Sequence, residues 1–279
     1  MAKSAFLKSS IAKKYWMALT GLFLCLFLVG HLVGNLQLIF GDASKFNQYA
    51  LFMTTNPFIK IMSYITYLSI IFHAIDGIIL TIQNKKARPV GYHKENAAAN
   101  SSFASRNMAV LGTLILVFIV MHMSHFWAKM HFDKNMPLQT IEVENMGQKF
   151  SFYQTTVDGK FIPTDTTQIS QMGLERRDVK YFYDKKANVK MAEGYKDLYK
   201  ITVAFFKDAK IGLWATLGYV LSMLVLGFHL WHGFASAFQS LGINNPKCNS
   251  AIKMAGKLFA IVVPLLFALV PLFIHFVMK

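Results

Sequence analysis

The stretch WMALTGLFLCLFLVGHLVGNLQLIF, Trp16–Phe40, carries no charged residue. A helix rises about 1.5 Å per residue, so about 20 residues cross the ~30 Å of hydrocarbon in a bilayer. The run is longer than the apolar core of a secretory signal and has no small-residue cleavage site. It therefore predicts a membrane-spanning helix.

Four further apolar runs predict that the chain forms one polytopic membrane domain, 1–279, of the all-α class. Of the residues, 54% are hydrophobic and only 15% are charged, whereas soluble domains average about 25% charged residues. No Gly-rich phosphate loop, Ser/His/Asp set or Cys-x-x-Cys motif points to soluble-type enzymology. We expect a bundle of five transmembrane helices, with spans at about 16–40, 58–83, 107–130, 211–239 and 257–278.

Basic residues predict the orientation of this bundle, because Lys and Arg concentrate in short cytoplasmic loops. The formal net charge of +15 is better explained by acidic lipid headgroups than by nucleic acid, since the excess lies at the ends of apolar runs. The opposite short loop, Gly41–Pro57, holds only Lys45, balanced by Asp42. The N-terminus is therefore expected in the cytoplasm and the C-terminus outside. The basic residues at the cytoplasmic ends are Lys3, Lys8, Lys13, Lys14, Lys85, Lys86, Arg88, Lys94, Arg106, Lys247, Lys253 and Lys257.

The segment 131–210 is expected to be an insertion on the outer face, because it is polar and too long for a simple connection. Within it, Tyr153–Pro163 predicts a hairpin around Asp158–Gly159. Tyr195–Lys207 predicts an amphipathic helix at the membrane interface. A small cap on the outer face and a docking site for another protein are the two interpretations of this segment.

Histidines are the candidates for chemistry, because an ionisable side chain inside a membrane is costly unless it has a partner. His31 and His122 each lie ~12 Å below the outer end of a helix, and His73 and His229 each lie ~15 Å from an inner end. Two depth-matched pairs result, one outer and one inner, and each pair joins two different helices. The predicted spans contain His31, His73, His122, His125, His229, His232 and His275.

Each pair suits a haem that is ligated by two imidazoles, with the two irons roughly 10 Å apart in depth. A closed coordination sphere favours electron transfer over oxygen chemistry. Small residues flank the proposed ligands where a porphyrin edge must approach. These are Gly30, Gly34, Gly77 and Gly233.

Several alternatives remain open at this point. Interhelical hydrogen bonding is the competing interpretation of the histidines, and His125 and His232 are rivals to His122 and His229. Asp76 is either a hydrogen-bond partner or proton carrier of the haem region, or a carboxylate that is satisfied by Lys85 or Lys86. Lys14 and Arg106, at the inner helix ends, are candidates for pairing with haem propionates.

The chain resembles the five-helix, di-haem cytochrome b subunit of bacterial succinate:quinone oxidoreductases, which include succinate dehydrogenase and fumarate reductase. A glycine ten residues before a histidine occurs twice, at Gly21 and Gly112, and a histidine thirteen residues before a closing glycine occurs in the fourth span. That register selects His122 over His125 and His229 over His232. The segments that carry the resemblance are TGLFLCLFLVGHL (Thr20–Leu32), FNQYALFMTTNPF (Phe46–Phe58), IIFHAIDG (Ile70–Gly77), LGTLILVFIVMH (Leu111–His122) and FHLWHGFASAFQSLG (Phe228–Gly242).

The resemblance implies a function in respiratory electron transport at the bacterial cytoplasmic membrane. A flavoprotein subunit and an iron–sulfur subunit would dock on the cytoplasmic face and interconvert succinate and fumarate. This chain would anchor them and carry electrons through two haem b groups to or from a membrane quinone, usually menaquinone. His31 and His122 would ligate the outer haem iron, and His73 and His229 the inner one. The insertion at 131–210 departs from the family, whose connection there is short.

Two other classes of function remain as alternatives. One is the membrane cytochrome b of another respiratory dehydrogenase, of the hydrogenase or formate dehydrogenase type, which would share the haem spectra and copurify with different partners. The other is a haem-free transporter or scaffold, which would purify colourless.

Overall fold

The computed structural model describes residues 9–87, 90, 96, 99, 101–157 and 160–279. Several residues used in the sequence predictions lie outside this part of the chain. They are Lys3, Lys8, Arg88 and Lys94 of the orientation argument and Asp158 and Gly159 of the hairpin turn.

Helices dominate the described part, and five of them are long and apolar enough to cross a membrane. In chain order the helices are α1 (Ser10–Phe40), α2 (Ala43–Thr55), α3 (Pro57–Lys86), α4 (Phe103–Arg106), α5 (Met108–Phe132, with a π-helical turn at Met123–Trp127), α6 (Thr166–Gln171), α7 (Leu198–Lys207), α8 (Gly212–Ser240) and α9 (Pro246–Leu272, continued by a π-helical turn at Phe273–Val277). The five long helices α1, α3, α5, α8 and α9 confirm that the chain is a multi-span helical protein by length and composition.

Two of the long helices begin well before the predicted spans, because their first turns are capped. The Ser9 side chain accepts a hydrogen bond from Ile11 N at the start of α1. The Asn245 side chain accepts one from Lys247 N at the start of α9, where Pro246 occupies the first turn. A capping side chain satisfies a backbone N–H that has no partner within the helix. The helices therefore extend past the apolar runs into polar sequence.

The segment Gly41–Pro57, expected as a short loop, folds instead as helix α2. The Asp42 side chain accepts a hydrogen bond from Lys45 N and so caps it. Phe46, Asn47 and Ala50 are buried on one face. Ala50 follows Phe46 by four residues and Asn47 by three, which is the spacing of neighbours on a helix face. The connection between α1 and α3 is therefore packed structure and not a free loop.

Helices α8 and α9 approach closely where Pro264 interrupts the hydrogen bonding of α9. Proline has no N–H, so the carbonyl of Ala260, four residues earlier, loses its helical partner. A Cβ atom at Gly227 of α8 would lie 3.1 Å from that carbonyl oxygen. A larger residue at this position would press on the carbonyl, and Cys25 of α1, Leu230 and Ala260 form a buried cluster beside it.

The insertion is not helical throughout, and for this segment the all-α prediction is wrong. It contains two three-stranded antiparallel sheets, in the orders β1-β2-β3 and β4-β5-β6. Leu138, Ile162, Leu174 and Phe182 belong to a separate hydrophobic core between them. We call residues 133–207 the cap. Its strands are β1 (Thr140–Asn145), β2 (Gln148–Gln154), β3 (Phe161–Pro163), β4 (Leu174–Arg177), β5 (Tyr181–Asp184) and β6 (Lys190–Glu193).

The secondary structure of two local predictions within the cap is confirmed, whereas the position of the helix at the membrane interface stays a prediction. Strands β2 and β3 pair antiparallel, with Phe152 opposite Pro163, as the predicted hairpin requires. The predicted amphipathic helix is α7, which begins at Leu198 after the Asp197 side chain accepts a hydrogen bond from Lys200 N. Phe206 of α7 is buried in a cluster that includes residues of α1 and α9.

A buried polar network joins the cap to α2. The Asn47 side chain is 1% exposed, and its Nδ2 donates to Gln139 Oε1 at 3.0 Å and to Asp197 Oδ1 at 2.8 Å. Its Oδ1 accepts from Tyr199 N at 3.0 Å. Gln139 Nε2 in turn donates to Gln154 Oε1 at 2.8 Å. Because each of these groups is satisfied by another, the cap is held in one position at its end of the bundle.

Candidate functional site

Four of the long helices bring the four predicted ligands together as two pairs. The rings of His31 on α1 and His122 on α5 have centroids 5.8 Å apart, and we call them the cap-side pair. The rings of His73 on α3 and His229 on α8 have centroids 6.2 Å apart, and we call them the far pair. The partners are those expected from depth along the helices. That they bind haem stays a prediction.

The spacing within each pair can be compared with that expected for a shared metal and for a direct hydrogen bond. A metal lies about 2 Å from each imidazole nitrogen, so two rings on opposite sides of one metal have centroids about 6 Å apart. Two rings joined by an N–H···N bond of about 2.9 Å would have centroids about 5 Å apart. The observed 5.8 Å and 6.2 Å leave room for a metal between the rings, and the ring contact of His122 with Tyr219, at 6.0 Å, has a similar spacing.

Two of the four rings have a buried nitrogen that has no hydrogen-bond partner among the residues that the structure describes. These atoms are Nδ1 of His122 and Nδ1 of His229. A histidine that served as an interhelical hydrogen-bond partner would use such an atom, and leaving it unpaired costs about 1–3 kcal/mol. Among the described residues, these two nitrogens therefore take no part in hydrogen bonding between helices.

His73 has a defined orientation because α1 supplies two acceptors for it. Its Nδ1 lies 3.2 Å from Met17 O and 3.2 Å from Thr20 Oγ1. The Thr20 hydroxyl donates its own hydrogen to Trp16 O at 2.9 Å, so the hydroxyl oxygen accepts from the ring. Nδ1 therefore carries the proton and Nε2 is left free to ligate. Such an outer hydrogen bond fixes the tautomer and raises the basicity of a metal-ligating histidine.

Gly21 and Gly112 precede the cap-side histidines of their own helices by ten residues. They nevertheless lie against the histidines of the far pair. A Cβ atom at Gly21 would lie 3.2 Å from His73 Cε1, and one at Gly112 would lie 3.8 Å from His229 Cε1. Ten residues correspond to ~15 Å along a helix, which spans the depth between the two pairs. Each glycine therefore makes room for a histidine of the other pair.

One large cavity connects the two pairs. Its volume is about 2000 Å³, and all four histidines line it. Pockets for a single small molecule usually have about 300–1,000 Å³, so this space suits two large planar ligands. Gly77 and Gly233, one turn after His73 and His229, line it as well. The nearest atoms to a Cβ at these positions are methyl groups of Met17 and Met108, at 4.0 Å and 3.9 Å, so a porphyrin edge would meet little obstruction there.

The rival histidines are placed apart from the two pairs. His125 Nδ1 lies 3.4 Å from the Tyr219 hydroxyl, and its ring lies against Phe205 with centroids 4.5 Å apart. His232 lines the cavity, but its Nε2 lies 3.2 Å from Ser236 Oγ on its own helix. His275 Nδ1 donates to the Phe206 carbonyl at 2.7 Å. Each of the three already has a local polar partner.

Asp76 and several lysines lie near the end of the bundle that is away from the cap. Asp76 is half-buried on α3. Lys85 and Lys86 are both described, and neither forms an ion pair with it. Lys13 on α1 and His73 are the groups whose charges act on Asp76. Among the described residues, no ion pair supports the alternative that Lys85 or Lys86 satisfies this carboxylate.

The two residues suggested as propionate partners differ in position. Lys14 lines the cavity at the end away from the cap. The Arg106 guanidinium donates to the Ser101 carbonyl just before α5, so part of its hydrogen-bonding capacity is used locally. Of the two, Lys14 is the better placed to reach a ligand inside the cavity.

Sequence reasoning missed several residues of the site. Thr20 is a polar side chain inside an apolar span, and this alone marks it for attention. Lys180, Glu193 and Lys196 of the cap also line the cavity. Nothing in the sequence distinguishes these three from the other charged residues of the insertion, because their position depends on how the two sheets sit over the bundle.

Comparisons of the chain with protein-family profiles, with curated proteins and with solved structures gave no match.

Proposed function

We propose that this chain is the cytochrome b membrane anchor of a succinate:quinone oxidoreductase, a complex of the succinate dehydrogenase and fumarate reductase class. The observation that carries the proposal is the pairing of four histidines from four helices, at 5.8 Å and 6.2 Å between ring centroids. Each pair offers two protein ligands to a metal. Porphyrin supplies the four others, so the pairs suit two haem b groups.

The cap-side pair, His31 and His122, would hold the outer haem, and the far pair, His73 and His229, the inner one. A bis-histidine haem supplies one-electron transfer, and its closed coordination favours this over oxygen chemistry. The protein's part is to hold the rings, to exclude water and to set the electrostatics. The hydrogen bonds from His73 Nδ1 to Met17 O and Thr20 Oγ1 hold the His73 ring in one orientation.

The membrane orientation belongs to the same proposal. The N-terminus would lie in the cytoplasm and the C-terminus outside, which places the cap on the outer face of a bacterial cytoplasmic membrane. The Lys207 ammonium donates to the Met278 carbonyl, which holds the end of α9 beside the cap. A flavoprotein and an iron–sulfur subunit would dock at the opposite, basic end, and the haems would pass electrons to or from a quinone, menaquinone in most complexes of this type.

The test is to isolate the complex from native membranes through a tag on this chain and to add possible electron donors anaerobically. We expect a flavoprotein and an iron–sulfur protein to copurify, and succinate to reduce the haems. Formate and hydrogen are the matched controls, because they are the donors of the competing cytochrome b classes. Reduction by formate or hydrogen but not by succinate would contradict the assignment, and a colourless preparation would favour a transporter or scaffold.

A further inference from the structure

The cap forms the roof of the histidine-lined cavity. The lining continues from the spans into Lys180, Tyr181, Glu193 and Lys196 of the cap. The Lys196 Nζ atom also donates to the Met130 carbonyl at 2.5 Å, which ties β6 and the residues that follow it to the end of α5. The insertion therefore lines one end of the space that the cap-side pair shares and does more than cover the bundle surface.

Two ammonium groups meet at this roof. Lys180 forms an ion pair with Glu193, and the two side chains are only 21% and 16% exposed. Glu193 is shared with Lys190 at 2.9 Å, so one carboxylate serves two lysines. Burial first, and then repulsion from Lys180, holds the pKa of Lys196 below its usual value, although Asp133 acts in the opposite direction. Among the described residues, Lys180 and Lys190 share one carboxylate and Lys196 forms no ion pair, so lysines outnumber their carboxylate partners at the roof.

Positive charge at a half-buried position is less costly when an anion accompanies it. Met130 follows His122 by eight residues on α5, so Lys196 is held ~12 Å above that ligand along the helix. The walls of the cavity below consist mainly of apolar side chains from the spans. An anionic molecule that fits would be apolar over most of its body and would carry its negative charge at the end nearest the cap. Haem has this distribution of charge, because its two propionates leave the same edge of the porphyrin.

We propose that Lys180 and Lys196 of the cap bind the propionate carboxylates of the outer haem. The inference rests on the proposed function, because it requires a haem at the cap-side pair. The two ammonium groups would close the haem pocket from above and would stabilise the reduced haem, which carries one more electron than the oxidised form. The insertion is then part of the cofactor site.

The experiment is a spectroelectrochemical titration of both haems in the full chain, carrying Lys196→Gln or, separately, Lys180→Gln. Each variant should lower the reduction equilibrium constant of the outer haem by about tenfold, which is about 59 mV for one electron. The inner haem should keep its potential and serves as an internal reference. The outer haem is identified as the one that is lost in His31→Ala.

Lys190→Gln is the matched control, since Lys190 pairs with the same Glu193 but is 46% exposed and does not line the cavity. It should leave both potentials unchanged. Lys196→Arg keeps the charge and should keep the outer potential, which separates loss of charge from damage to the cap. Haem per chain, measured alongside, reports whether each variant has folded.

Three results would overturn the inference. Both Lys→Gln variants could keep two haems at unchanged potentials. The potentials could stay unchanged while quinone turnover falls, which would assign the lysines to a quinone headgroup. Lys190→Gln could shift the outer haem as much as Lys196→Gln, which would make the effect a general one of surface charge. A wild-type chain without haem would instead contradict the proposed function itself.

Discussion

A methyl group at Gly21 should weaken the far pair selectively. Gly21 shares helix α1 with His31 of the cap-side pair, yet a Cβ atom there would lie 3.2 Å from His73 Cε1. Carbon atoms are attractive to each other at about 3.5–4.0 Å, so in Gly21→Ala the ring must move by a few tenths of an ångström. The 3.2 Å contacts of His73 Nδ1 with Met17 O and Thr20 Oγ1 resist that movement.

The magnitude follows from two opposing effects. An extra methyl in a packed site costs about 1–3 kcal/mol, whereas replacing glycine by alanine within a helix gains up to about 1 kcal/mol. The bundle itself should therefore change little in stability. The ligand position bears the strain, and a loss of about 1.4 kcal/mol corresponds to a tenfold change in binding. We expect inner haem to bind about tenfold more weakly and outer haem to bind as before.

The assay is haem content per chain at limiting haem, read with the difference spectrum of His73→Ala as the reference for a chain without inner haem. Gly218→Ala is the matched control, because Gly218 of α8 is exposed, has no atom within 4 Å of a Cβ position and does not line the cavity. Loss of outer haem in Gly21→Ala would refute the reasoning. So would an equal loss in the control or a fully occupied inner site.

Three further predictions test other parts of the site. Replacing a histidine of the cap-side pair by alanine should remove the outer haem and spare more of the inner one, and replacing a histidine of the far pair should do the reverse, as counted by difference spectra. Loss of a haem in His232→Ala, with both haems kept in His229→Ala, would contradict the pairing. Thr20→Val should raise the reduction potential of the inner haem by up to about 40 mV, because it removes a hydrogen bond worth about 1 kcal/mol that makes His73 more basic. An unchanged potential in a redox titration would count against this role of Thr20. Asn47→Ala should loosen the cap, because it leaves the buried hydrogen-bond partners of Asn47 unsatisfied, at a cost of about 1–3 kcal/mol. Limited proteolysis should then cut the cap faster than in the wild-type chain and leave the spans unaffected. Equal cleavage rates in the variant and the wild type would exclude the anchoring role of Asn47. The members of the pairs are His31 with His122 and His73 with His229.

The spans and the partners within each pair can be predicted from the sequence for one physical reason. A long helix converts residue number into depth at a constant rate, so the equal depths of His31 and His122 follow from counting residues alone. The same counting places His73 with His229. Depth does not describe which way a side chain points, and the contact between Gly21 and His73 does not follow from it.

The extramembrane parts are less predictable, because their signals are short and local. Helix α2 is a single amphipathic helix of 13 residues between two spans, and its polar residues resemble those of a loop. The strands of the cap are mostly short, some of only 3 or 4 residues, and their burial comes from contact between the two sheets. The hairpin at β2 and β3 is the exception, since a turn signal separates two β-rich runs.

The positions of Lys180 and Lys196 lie beyond sequence reasoning for a related cause. Both belong to a segment with many lysines, and only the packing of the cap onto α2 and α5 brings these two over the cavity. Long-range hydrogen bonds such as Asn47 to Asp197 determine that packing. Such contacts leave no periodic trace in the sequence.

The central claim is that the paired histidines hold two haems, and the most direct test is a reduced-minus-oxidised visible spectrum of the purified chain with haem quantified per chain. Two b-type haems per chain are the predicted result. A folded, colourless chain would contradict the account and would return the histidines to an unknown role within the bundle.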